Sequence, residues 1–105
     1  MKPSNATLFY IHDPMCSWCW GFKPVWQQLQ AQLGSTVTII YVVGGLAADS
    51  NQPMATGMQH ALKATWQRIE QHIPGTKFNY DFWNPASNSM PRRSTYPSCR
   101  AVLAA

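Results

Sequence analysis

Cys16 and Cys19, with Ser17 and Trp18 between them, are the residues of this chain best equipped for covalent chemistry. Two thiols three positions apart at the start of a helix lie close enough to form a small disulfide ring. The first can face the unpaired N–H groups of the opening turn. Those groups and the helix dipole favour the thiolate, which lowers the thiol pKa and makes it the attacking nucleophile. A thiolate beside a second thiol is what thiol–disulfide exchange requires. On this reading Cys16 attacks, because it is nearer the helix start. Cys19, one turn in and better shielded, resolves.

The competing use of such a pair is half a zinc site, which needs two further ligands. Cys99, His60 and His72 are the candidates, and none stands at a ligand spacing to a second one. No metal is expected. Around the pair, Ser17 can donate a hydrogen bond to the thiolate, and Trp18 offers apolar surface either to a substrate chain or to simple packing. A protonated His12 would depress the pKa of a nearby thiolate. Asp13 caps the turn with Pro14 or shuttles a proton, the structural role being favoured. Cys99 reads as a free buried cysteine rather than a third redox thiol. The Met54, Met58 and Trp66 stripe reads as core rather than a cofactor box.

The elements that must hold these residues follow from local pattern. Residues 7–11 (Thr-Leu-Phe-Tyr-Ile) are a short β-branched and aromatic run, expected to be a buried strand. Residues 17–33 form a helix with Phe22, Val25, Trp26, Leu29 and Leu33 on one buried face. Gly34 stops that helix and Pro24 is expected to kink it. Residues 37–43 are near-continuously apolar, as in a strand buried on both faces of a parallel sheet. Strand, helix and strand make a right-handed βαβ unit, closed by the Gly44-Gly45 turn. From about Pro53, apolar residues from Met54 to Ile73 recur at spacings of three and four, a second long helix that Pro74-Gly75 ends. Residues 76–83 are either a short strand or an extended segment packed on the helices, and 84–91 are polar and turn-rich. A last helix opens near Pro97 and runs to Ala105, with 94–96 as its capping segment.

The totals narrow the function further. A chain of 105 residues makes one small domain at most, and 46% hydrophobic residues with five tryptophans exclude disorder. The net charge is +4, but only Arg92 and Arg93 are adjacent, so there is no nucleic-acid-binding stripe. Three cysteines, one vicinal pair and one stray, fit a redox pair in a reducing compartment better than a stapled secreted scaffold. No leader-like apolar run follows Met1 and no stretch reaches membrane-spanning length, so a cytoplasmic protein that does not enter the membrane is expected.

Four stretches carry a closer likeness: 13–22 (Asp-Pro-Met-Cys-Ser-Trp-Cys-Trp-Gly-Phe), 44–47 (Gly-Gly-Leu-Ala), 78–83 (Phe-Asn-Tyr-Asp-Phe-Trp) and 93–101 (Arg-Ser-Thr-Tyr-Pro-Ser-Cys-Arg-Ala). Together they resemble the DsbA-like (FrnE-type) branch of the thioredoxin-fold oxidoreductases. The resemblance implies an α/β, thioredoxin-like fold, with 1–46 as the N-terminal βαβ part and 47–105 as the beginning of a helical insertion. It implies a thiol–disulfide oxidoreductase of the protein-disulfide isomerase type, with Cys16 and Cys19 catalytic and Ser17, Trp18, His12 and Pro14 binding substrate or tuning the pair. The redox-active disulfide would serve in place of a cofactor. Partners would be protein or small-molecule thiols and disulfides, glutathione among them. The cis-proline loop of such folds would lie beyond Ala105, and the chain is expected to be the N-terminal half of a longer protein. Two other classes stay open: a glutathione-dependent isomerase or transferase of the kappa-class type, and a non-catalytic binding or chaperone module.

Overall fold

The structure is a computed structural model that describes residues 6–88 and 90–105; the opening residues 1–5 lie outside them. Strand β1 (Ala6–His12) leads through a loop into helix α1 (Ser17–Leu33), which returns to strand β2 (Val37–Val43). Helix α2 (Thr56–His72), a 3₁₀ turn (Tyr80–Trp83) and helix α3 (Tyr96–Ala104) follow. β1 and β2 pair in parallel, Ala6 opposite Val37 and His12 opposite Val43. Parallel neighbours need a crossover, and α1 is that crossover.

α1 is fixed to the sheet mainly through Trp26. Its ring stacks on Tyr10 with centroids 3.9 Å apart and planes 4° from parallel, and it meets Tyr41 edge-on at 6.2 Å. Side chains alternate across a strand, so Tyr10 and Tyr41 face α1 while Phe9, Ile11, Ile40 and Val42 point to the other side. That other side is open: Phe9 is 59% and Ile11 66% exposed. The burial expected on both faces of β2 is realised on neither in full: on the α1 side Val37, Ile39 and Val43 are half-buried and Tyr41 is 53% exposed. A sheet of two strands with a single covering helix has nothing to place on its second face.

The same thinness corrects the expected face of α1. Only Gly21 and Trp26 are buried, whereas Phe22, Val25 and Leu29 are exposed. Its apolar stripe is wider than the sheet and α2 together cover. The helix runs unbroken through Pro24 and ends where Gly34, at φ 52°, donates its N–H to the Gln30 carbonyl at 3.0 Å. Where α1 meets α2, the absence of a side chain is what allows the approach. A Cβ on Gly21 would lie 2.9 Å from Ile69 Cγ2 and 3.0 Å from Ile73 Cδ1, and Ile69 is fully buried.

Residues 76–83 form no strand. An extended lead into the 3₁₀ turn lays its aromatics on α2, Phe78 stacking on Trp66 at 4.7 Å with Phe82 and Trp83 beside it. Glu70 holds this segment: its carboxylate accepts the Phe78 N–H at 3.1 Å and the Tyr80 hydroxyl at 2.5 Å. Burial, that hydrogen bond and the Glu70 charge push the Tyr80 pKa up to about 12. The radius of gyration is 16.8 Å, above the roughly 13 Å usual for a compact domain of this length. The β1–α1–β2 unit and the aromatic arm thus lie side by side over a thin core.

Candidate active site

Cys16 is the N-cap of α1, and Cys19 lies one turn into it; both are free and half-buried. The loop before the helix is shaped by its own polar groups. Asp13 Oδ1 accepts the Met15 N–H at 2.8 Å, and the Asp13 carbonyl accepts the Cys16 N–H at 3.0 Å. This is the local turn that an Asx side chain favours, and it delivers Cys16 to the helix start. The Cys16 side chain accepts no capping hydrogen bond from the first turn. Cys19 sits against Cys16 and the Asp13 backbone. Burial raises its pKa, the nearby Cys16 and Asp13 charges add to the rise, and a hydrogen bond from the Asp13 backbone opposes it.

Cys16 opens into a groove of about 610 Å³ between α1, α2 and the 76–95 segment. Its floor is apolar, made of Met54, Met58, Leu62, Trp66, Phe82 and Trp83. Its charged lining residues are Lys77, Arg92 and Arg93, and among the described residues no carboxylate lines it. Trp20 forms a wall, its indole N–H donating to the Lys77 carbonyl at 3.1 Å. Ser17 is tied to α2: its Oγ accepts the Trp66 indole N–H at 2.6 Å, leaving its own proton free to donate.

Cys19 faces a smaller cavity on the other side of Trp20, lined by Tyr10, His12, Lys23, Trp26 and Tyr41. His12, considered from the sequence as a neighbour of the thiolate, stacks on Tyr10 at 5.4 Å and belongs to this side. Pro14 borders both spaces. Trp18 lines neither; it is 44% exposed and lies against His72 at 6.4 Å. Trp20, which sequence reasoning did not single out, is the tryptophan that lines both spaces. Lys77, Arg92 and Arg93 were also missed. The adjacency of the two arginines was visible, but nothing local points them at a cysteine more than seventy residues earlier. Cys99 is buried, as expected, with its thiol 3.5 Å from Asp13 Oδ2. Met54, Met58 and Trp66, read as core, also floor the groove, Met54 buried and the other two half-buried. Among the described residues no three His, Cys, Asp or Glu side chains gather as metal ligands, and no helix is long and apolar enough to cross a membrane.

A βαβ unit with a Cys-x-x-Cys pair at the first turn of its crossover helix, followed by helices, is an α/β architecture of the thioredoxin-like class. Solved structures agree. A "putative protein disulfide isomerase" from Nitrosomonas europaea superimposes over 95% of this chain with a TM-score of 0.76 and 29% sequence identity. The cytosolic disulfide reductase DsbM from Pseudomonas aeruginosa, solved with GSH, matches over 93% with a TM-score of 0.68 and 27% identity. The chain spans 45% of the length of each of these proteins, the likeness expected of the N-terminal half of a DsbA-like protein. No protein-family model matches the sequence, and no curated protein does.

Proposed function

We propose that this chain carries the exchange site of a thiol–disulfide oxidoreductase of the DsbA-like, protein-disulfide isomerase type. The observation that carries the reading is the placement of Cys16 at the N-cap of α1, at the mouth of the groove, with Cys19 one turn behind it. The Cys16 thiolate attacks a substrate disulfide R–S–S–R′ and displaces R′–S⁻, leaving a mixed disulfide on Cys16. Cys19 then loses its proton, attacks the Cys16 sulfur and displaces R–S⁻. The substrate gains two electrons, and Cys16 and Cys19 become a disulfide. Run backwards, the same steps oxidise a dithiol. The redox pair itself takes the place of a cofactor.

Protein or small-molecule thiols are the partners of this reading. Glutathione is one of them: DsbM, solved with GSH, supports it, and so do the three cations on the groove, which suit a thiol bearing carboxylates. The cytosolic setting described for DsbM supports a cytoplasmic place for this protein as well.

The test is turnover of a fluorescently labelled peptide disulfide. Cys16→Ser reduces exchange to the uncatalysed background, and Cys19→Ala accumulates a mixed disulfide visible by mass spectrometry. Exchange that persists in Cys16→Ser sinks the proposal. Turnover that persists in Cys19→Ala favours a glutathione-dependent isomerase or transferase instead, because that chemistry needs one nucleophile and not two.

A further inference from the structure

The groove beside Cys16 carries two kinds of surface that the exchange step itself does not use. Its rim holds three cations, Lys77 from the aromatic segment and Arg92 and Arg93 from the segment leading to α3, all exposed. Among the described residues none of the three has a counter-ion. The chain has four carboxylate side chains, and each is placed elsewhere. Asp13 is buried and held by the Met15 and Leu46 amides, and Asp49 pairs with Arg100. Glu70 is taken by Phe78 and Tyr80, and Asp81 does not line the groove. The positive potential of the rim is therefore left for a group from outside. The floor is apolar and rich in methionine: Met15, Met54 and Met58, three of the five in the chain, line the groove. Methionine is unbranched and polarisable, so a surface built from it repacks around apolar groups of different shape.

We propose, on the exchange reading given above, that the groove selects polypeptide disulfides whose reactive cysteine is flanked by an acidic residue and a large apolar one, the rim cations taking the first and the methionine floor the second. Cys16 needs a sulfur at the mouth of the groove, the rim needs an anion and the floor an apolar group. An extended chain delivers all three together, because successive side chains project separately from one backbone. Glutathione delivers only two. It brings carboxylates and a thiol but no apolar side chain, so it pairs with the rim and leaves the floor uncovered. It remains a small partner of the pair, and the polypeptide is the better substrate. The bond changes are those of exchange. Cys16 Sγ bonds to the sulfur of the selected cysteine, the other half of the substrate disulfide leaves as a thiolate, and no further oxidant or reductant is needed. Selection is strict in charge, because a basic residue would meet three like charges. It is tolerant in apolar shape, because the methionines adapt.

Four peptides of one length test this, each joined through its cysteine to the same coloured leaving thiol. They carry a glutamate or a lysine on one side of the cysteine and a leucine or a serine on the other. The glutamate–leucine peptide is expected to show the highest kcat/KM. Replacing its leucine by serine should cost about tenfold. Replacing its glutamate by lysine should cost about tenfold at low salt and little in about 1 M salt. Glutathione joined to the same leaving thiol is expected to react like the glutamate–serine peptide. Arg92→Gln combined with Arg93→Gln should erase the preference for glutamate and keep that for leucine, and Met58→Gln should do the reverse. Each preference is a ratio taken within one variant, so a loss of folded protein cancels from it. Equal rates for the four peptides, a glutathione adduct that outruns the glutamate–leucine peptide, or a glutamate preference that survives both the arginine variant and high salt overturns the proposal. If instead Cys16→Ser turns over the peptides as fast as the unaltered protein, it is the exchange reading that fails.

Discussion

The two cysteines stand one helical turn apart and open onto different surroundings. Cys16 looks into a wide groove with an apolar floor and three cations. Cys19 looks into a smaller, aromatic cavity and lies against the backbone of a buried aspartate. Sequence position ranks the two thiols by their distance from the helix start; the folded molecule gives each its own surroundings. On one side a large disulfide can be held by area and charge. On the other, burial and the neighbouring Cys16 raise the Cys19 pKa. The asymmetry comes from Trp20, which stands between the two spaces, and from segments that reach the site from the far end of the chain.

That comparison can be attacked at three points. The largest effect is expected where α2 meets α1. Gly21→Val places carbon atoms where Ile69 and Ile73 already lie, at 2.9 and 3.0 Å from the first added atom. A loss of about 3 kcal/mol in urea unfolding is expected from overpacking a buried contact, together with a widened groove on the Cys16 side. Unchanged stability would mean that α2 does not define that side. Next, Arg92→Glu combined with Arg93→Glu inverts the charge of the groove. Attack on a carboxylate-bearing disulfide is expected to slow about tenfold at low salt, and much less at high salt. A neutral disulfide serves as control, and an equal loss with it would show that the arginines act on folding and not on substrate charge. The smallest effect concerns Trp66→Phe, which keeps the aromatic stack but removes the indole N–H that Ser17 accepts. About 1 kcal/mol of stability should be lost, measured by thermal unfolding. No loss at all would indicate that water replaces that bond without cost.

Much of the scaffold was legible in the sequence because the signals for it are local. The runs at 7–11 and 37–43 predict strands, and both are found in parallel pairing on either side of α1, whose limits match the expectation at both ends. Residues 76–83, read from the sequence as either a short strand or an extended segment packed on the helices, are the second of these. Their alternating aromatics have the period of a strand, yet no edge lies beside them and Trp66 does, so they stack on α2. The stripe of Phe22, Val25 and Leu29 has the period of a buried face, yet burial depends on what arrives to cover it.

The sequence by itself determined the elements, their order and the pair of thiols at a helix start, because each is decided by residues within a turn or two of one another. Only the tertiary structure decided what surrounds that pair. Asp13 meets Cys99 across 86 positions, Trp20 meets Lys77 across 57, and Ser17 meets Trp66 across 49. Contacts of that span follow from the angle between α1 and α2 and the path of the loops that return past β2. No period or spacing in the chain encodes them, because they exist only once every intervening element has packed.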